Sequence, residues 1–304
     1  MKAAVALTVA LLSAAAQAAF TETVNGVTYT VKHFDADGSE LPVEFGAAID
    51  AAARAARRRK AFQAGRGSSS LKQRSQTFDN WCGAANLQPP GGGDWNSVSG
   101  KWTVPNISLR PGQSVSDPPS LIQSIGIGGD GCLPDGSTQG GGSNGCQSGG
   151  IIGGGTGSQI GRDGKQENFA YVEFWPEAMR AVKMHVNAGD EMFGRVTTDS
   201  AIAGNVTIIN ITTGQCMYAV FTDAQAALSG SSVQWTVSAI GSISSNKREP
   251  FADFADNNFS ECQATTDGGQ SAGPGTNNIN LMQNGRTLCT GRIEGSNVYL
   301  HSSN

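Results

Sequence analysis

NVTIINITTGQCMYAVFT, residues 205–222, reads as two strands and the turn that joins them. Val, Ile, Thr, Tyr and Phe fill both arms, the residue types that suit a pleated, half-buried surface. Thr213-Gly214 lies between the arms and supplies the hairpin turn. The same texture continues outward on both sides. EMFGRVTT (191–198) precedes the hairpin and SSVQWTVSAI (231–240) follows it. Further back, SVSGKWTVPNISL (97–109) alternates, and ENFAYVEFWPE (167–177) is an aromatic strand ending at Pro176. Gly, Asn and Asp punctuate these runs, and no helical period appears after residue 80 beyond a turn near Asp223–Leu228. Long antiparallel strands without helices predict an all-β, antiparallel β-sandwich of the jelly-roll type.

Composition agrees with that class. Only 15% of residues are charged and 41 are Gly, as suits many strands and tight turns. The chain opens MKAAVALTVALLSAAAQA, one Lys, an apolar run and a small-residue end, which predicts a secretory signal over 1–18 cut after Ala18. Secretion favours disulfides among the six cysteines, Cys82, Cys132, Cys146, Cys216, Cys262 and Cys289. Cys132 and Cys146 flank a Gly-rich loop and are the expected pair. The sequons at Asn106, Asn205, Asn210 and Asn258 predict glycosylated surface positions.

Residues 19–74 differ from the rest. Val24–Val31 reads as a strand, and an Ala-rich stretch from Pro42 to Phe62 reads as a helix with a basic tail at Arg57-Arg58-Arg59-Lys60. This leader carries nine basic against six acidic residues, a net of +3, and residues 75–304 carry eleven against nineteen, a net of −8. A basic leader before an acidic body predicts a propeptide held by charge and removed at the basic cluster, with a single sandwich over 75–304. The basic run does not mark a nucleic-acid binder in a chain that carries an export signal. No later stretch is long and apolar enough to span a bilayer. A soluble, extracellular monomer with no cofactor is the expectation.

The chemistry is constrained by what is scarce. His33, His185 and His301 are the three histidines, and no GxSxG elbow, Ser-His-Asp set or metal-ligand spacing accompanies them. The histidines read as residues of surface or strand faces, which leaves carboxylates and amides as candidate catalysts. One further stretch stands out: SGGIIGGGTGSQI, residues 148–160, sets glycines inside a strand pattern. Such a run marks close backbone approach or a lost side chain.

DNWCGA (79–84), SVSGKWTVP (97–105), SIGIGGDGC (124–132), IIGGGTGS (151–158), YVEFWPE (171–177), NAGDEM (187–192), INITTGQ (209–215), VQWTVSAI (233–240) and PFADF (250–254) occur in this order. In that series the chain resembles the fungal glutamic peptidases, the eqolisins, over nearly all of 78–265. The resemblance implies a concanavalin A-like sandwich of two seven-stranded sheets. It also implies a groove for extended polypeptide, a Glu that acts as general base and then acid, and a Gln that stabilises the oxyanion. It places the Gln at Gly153, within Ile151-Ile152-Gly153-Gly154-Gly155, and the Glu at Ser238, within Val233-Gln234-Trp235-Thr236-Val237-Ser238. The family's Trp-Val-Gly-Ile-Asp-Gly reads Ser124-Ile125-Gly126-Ile127-Gly128-Gly129, without the Trp and the Asp. Glu173 still matches a cleft-facing Glu.

The expectation is a catalytically silent homologue that keeps a groove lined by Tyr171, Glu173, Trp175 and Gln234. Strand parity puts Tyr171, Glu173 and Trp175 on one face and Phe174 on the other. One alternative is an active acid endopeptidase using replacement residues, Glu173 with Gln159. Gln234 shares parity with Ser238 but stands about 13 Å along the strand from it. A second alternative, on fold analogy, is a carbohydrate-binding sandwich.

Overall fold

The hairpin at Thr213-Gly214 forms as read. Gly214 takes φ +81°, its N–H donates to the Asn210 carbonyl at 2.8 Å, and strands Ala203–Asn210 and Cys216–Thr222 pair in register on either side. In the computed structural model of the chain, residues 19–24, 26–49, 74–78, 81–128, 150–175, 177, 179–240 and 250–303 are described. The signal over 1–18, the Cys132–Cys146 pair and the Arg57–Lys60 cluster lie outside them.

The leader supplies β1 (Phe20–Val24), β2 (Val27–Phe34), β3 (Glu40–Leu41) and β4 (Phe45–Ile49), and β5 (Arg74–Phe78) follows. The body continues with β6 (Trp81–Asn86), a short 3-10 turn at Pro90–Gly92, β7 (Trp95–Thr103), β8 (Ile107–Ser108) and β9 (Ser120–Gly128). Next come β10 (Ile151–Ile160), β11 (Gln166–Trp175), β12 (Met179–Val182), β13 (Glu191–Ser200), β14 (Ala203–Asn210), β15 (Cys216–Thr222) and β16 (Ser232–Ser238). The last are β17 (Asp253–Phe254), β18 (Asn257–Thr266), β19 (Ser271–Ala272), β20 (Asn277–Gln283), β21 (Arg286–Glu294) and β22 (Asn297–Ser302).

Twenty of these strands share one hydrogen-bonded path, almost wholly antiparallel. It runs β4–β12–β11–β10–β9–β16–β6–β20–β21–β22–β18–β7–β13–β14–β15–β2–β1, with β3, β5 and β19 added at its sides. The path folds back on itself. A Cβ on Gly194 of β13 would stand 2.7 Å from Ile125 of β9, and one on Gly204 of β14 would stand 2.7 Å from Ile152 of β10. Those contacts face β9 and β10 towards β13 and β14 across a core containing Trp102, Ile125, Val206 and Trp235, an arrangement consistent with a β-sandwich. The two separate sheets of about seven strands implied by the resemblance are here joined through the β20–β21 hairpin. Cys82 of β6 and Cys289 of β21 form a disulfide near that junction.

Several expectations change. The strand at Val24–Val31 is a hairpin instead, because the chain reverses at Gly26, φ +92°, and pairs Val24 with Val27. The helix expected over Pro42–Phe62 is a strand where it is described: β4 pairs with β12, since an open strand edge outweighs a modest helix preference. Cys216 and Cys262 are unpaired, and burial pushes both thiols up, so neither is primed to react. Asn210 is not a surface sequon. It is fully buried and donates through Nδ2 to Asp190 at 2.7 Å and to the His185 carbonyl at 3.0 Å, tying the NAGDEM loop to the NITTGQ turn. Asn106 is exposed, and Asn205 and Asn258 are half-buried. His33 lies on a strand face as read, the inward face of β2.

Candidate active site

Alternation along β10 sorts the glycine run into two faces. Gly154 points inward, where a Cβ would stand 2.6 Å from Val206. Thr156 points the same way, accepting from Trp102 Nε1 at 2.9 Å and donating to Gln123 at 3.2 Å. Gly153, Gly155, Gly157 and Gln159 therefore point outward. β11 obeys the same rule: Phe174 packs inward on Phe221 at 5.8 Å between ring centroids, so Tyr171, Glu173 and Trp175 share the outward face. In β16, Trp235 points inward and donates to the Ser99 carbonyl at 2.9 Å, so Gln234 and Ser238 face outward.

Strand register then fixes which outward residues meet. Directly opposed residues share a face, and one row reads Glu173, Gly153, Gly126, Gln234, Ala85 across β11, β10, β9, β16 and β6. A second row reads Tyr171, Gly155, Ser124, Thr236, Gly83. Ser238 belongs to another, opposite Ile122 and Trp81, and Ile122 is opposite Gly157. Gly153 and Ser238 thus lie on one face, separated by β9 and by four residues along the strands, about 13 Å. Neither carries a carboxylate or an amide side chain.

The substitute pair of the alternative reading, Glu173 with Gln159, is not brought together. Gln159 is opposite Glu167 and Ser120, six residues from the Glu173 row, about 20 Å along the strand. Gln234, set aside on its distance from Ser238, is instead in the same row as Glu173. Parity was legible; the register that pairs β9 with both β10 and β16 was not.

The floor of this row is glycine on two adjacent strands. Glu173 Oε1 lies 3.8 Å from the point where a Cβ on Gly153 would stand, and Gln234 Nε2 lies 3.3 Å from the corresponding point on Gly126. Both side chains are nearly buried, at 3% and 8% exposure. Gln234 Nε2 and Ser124 Oγ find no hydrogen-bond partner. Buried orphan donors cost about 1–3 kcal/mol each and call for a ligand or a water. Beside the row, Ile122, Tyr171, Met179 and Ile240 form a small apolar cluster of their own. The expected groove face is therefore closed in the intact chain, with Trp175 the most exposed of its four expected lining residues. Among the described residues no cluster of His, Cys, Asp or Glu could hold a metal ion.

The leader meets the body at β2–β15 and β4–β12. Among the described residues its ion pairs run opposite to the overall charge balance: leader Glu22 pairs with Arg180, and leader Glu44 with Lys183 at 2.6 Å.

The model of the Peptidase A4 family matches residues 79–302. Aspergillopepsin-2 of Aspergillus niger is 27% identical over 139 residues, 45% of this chain and 48% of that protein. The chain thus spans about half the length of this curated relative. Scytalido-glutamic peptidase, solved with a transition state analog inhibitor, superposes with a TM-score of 0.60 at 23% identity, covering 74% of this chain and 98% of that one. SCP-B, a member of the eqolisin family solved with the tripeptide Ala-Ile-His, gives 0.57 at 23% identity over the same shares. Aspergilloglutamic peptidase from Aspergillus niger gives 0.52 at 23% identity, over 61% of this chain and 99% of that one. At these identities the structural likeness speaks for the fold.

Proposed function

The chain belongs to the Peptidase A4 family, the glutamic peptidases, and from that premise we propose that it is a secreted homologue that binds extended polypeptide and is catalytically silent at the family's two dyad positions. The observation that carries this reading is the state of one face. Gly153 and Ser238, the positions to which the resemblance assigns the dyad, both look outward from strands flanking β9 but lie about 13 Å apart along the strands, and they carry a hydrogen and a hydroxymethyl rather than an amide and an acid. Losing a general base removes about 10²–10⁴ in rate, and losing an oxyanion donor about 10²–10³. Peptide binding is supported by the structural neighbour solved with a tripeptide and by two orphan donors on one face, Gln234 Nε2 and Ser124 Oγ, that suit a peptide backbone.

The finer parts of the reading are these. The sandwich is concanavalin A-like, residues 1–18 are removed on export, and the leader over 19–74 is a propeptide that keeps the face closed until acid loosens it. The mature protein works outside the cell as a monomer. Nothing in the fold or its neighbours favours a carbohydrate ligand. Acid-treated full-length protein should bind a fluorescent peptide of denatured casein saturably at about pH 4, and the leader peptide should compete. Absence of saturable binding would sink the reading.

A further inference from the structure

We propose that the lost carboxylate–carboxamide pair has been rebuilt within the Glu173 row, with Glu173 as general base and acid and Gln234 as oxyanion donor. This rests on the reading of the face as a polypeptide groove. Glu173 and Gln234 stand three strands apart, and the two residues between them, Gly153 and Gly126, have no side chains to fill the gap. Each polar end leans inward by one strand. Glu173 Oε1 lies 3.8 Å from the Cβ point of Gly153 on β10, and Gln234 Nε2 lies 3.3 Å from that of Gly126 on β9. Gly153 and Gly126 are register partners, and neighbouring strands are about 4.8 Å apart. The two polar ends therefore reach towards the same pair of glycines from opposite sides, and a water bridging them would make two hydrogen bonds of about 2.8 Å each. Gln234 Nε2 is buried and has no acceptor within the protein, so its N–H is available to a ligand oxygen. Gly153, where the resemblance puts the Gln, and Gly126 opposite it place no side chain between the two polar ends.

The chemistry balances with water as the co-reactant. The Glu173 carboxylate takes a proton from the bound water as the water oxygen bonds to the scissile carbonyl carbon. The carbonyl π pair moves onto its oxygen, and the oxyanion accepts the hydrogen bond of Gln234 Nε2–H. The C–N bond then breaks as protonated Glu173 passes its proton to the departing nitrogen. A carboxylic acid and an amine leave, and Glu173 is again a carboxylate. Ser238 takes no part.

The test uses acid-treated full-length protein and denatured casein at about pH 3 to 6, with peptide binding measured on the same samples. Wild type should cleave. Glu173→Gln, which keeps shape and removes the base, should lower kcat about 10²–10⁴-fold. Gln234→Leu, of similar volume without a donor, should lower kcat about 10²–10³-fold. KM should stay within a few-fold in both, which a collapsed face would not allow. Glu167→Gln, a carboxyl on the same strand outside the row, should leave the rate unchanged. Binding without cleavage by wild type, or cleavage that survives either row variant, overturns the rebuilt pair and leaves the polypeptide groove standing. Neither binding nor cleavage overturns both.

Discussion

At the scale of single residues, the glycine run is more than a set of missing side chains. A Cβ on Gly155 would stand 1.9 Å from the Gln123 carbonyl oxygen, and one on Gly153 would stand 2.8 Å from that of Ile125. Both obstacles are backbone, which cannot swing aside as a side-chain end can. Strand β9 stands close against both positions, so placing at 153 the Gln that the resemblance implies is not a local change. Gly153→Gln and Gly155→Ala should each destabilise the fold by about 1–3 kcal/mol, the range for overpacking a filled site. For a domain of this size that is a fall in Tm of about 2–4 °C per kcal/mol, read by differential scanning calorimetry. An unchanged Tm in Gly155→Ala would show that β9 and β10 are less tightly apposed. Sequence alone marked these glycines as significant but left two readings, close approach or lost side chain, and the backbone contacts bear out the first. It missed Gln234 and Gly126 as partners of Glu173, because parity along one strand is local whereas register across three strands is set by the whole sheet. Asn210 shows the same limit: a sequon is three residues, and burial is decided by the loop packed over it.

At the scale of elements, body strands with alternating β-branched and aromatic residues were legible, and of the leader strands only the stretch around β2 was. Strand β2 buries Val27, Tyr29, Val31 and His33 on one face. His33 stands opposite Met217 of β15 and Leu41 of β3, and neither ring nitrogen makes a hydrogen bond of ordinary geometry. Burial holds the imidazole below its usual pKa, against smaller opposing influences from the Gln215 amide and the Asp35 carboxylate. The docked strand thus keeps His33 neutral, whereas a released strand would protonate near the ordinary value of about 6.5. Below that pH the released form binds the extra proton, so docking of β2 weakens as pH falls, by up to about tenfold per pH unit until the docked-state pKa is passed. Leader carboxylates such as Glu44, held low by Lys183, lose their ion pairs only in more acidic solution. Hydrogen exchange at residues 27–34 should therefore accelerate in two steps on acidification, and His33→Phe should remove the upper step alone. A single step common to both proteins would exclude His33 as the trigger.

At the scale of the whole molecule, the leader occupies both ends of the strand path. β4 covers the edge of β12 at one end, and β2 covers the edge of β15 at the other, over the full run Cys216–Thr222. That residues 19–49 complete the sheets was not legible, since their sequence carries a weak strand pattern that becomes a strand only against a waiting edge. Uncovered edges pair with other chains. A chain beginning at residue 75 would fold with two bare edges, one of them next to the closed face. The Cys82–Cys289 bridge, linking residues 207 apart, holds the β6–β21 junction but reaches neither edge. Such a chain should refold from urea with lower yield than full-length protein and scatter light in a concentration-dependent way, and the separate 19–74 peptide should restore the yield when added during refolding but not after aggregation. Equal yields with and without the leader would mean that β12 and β15 protect themselves, and that the leader's pairing serves closure of the face rather than folding.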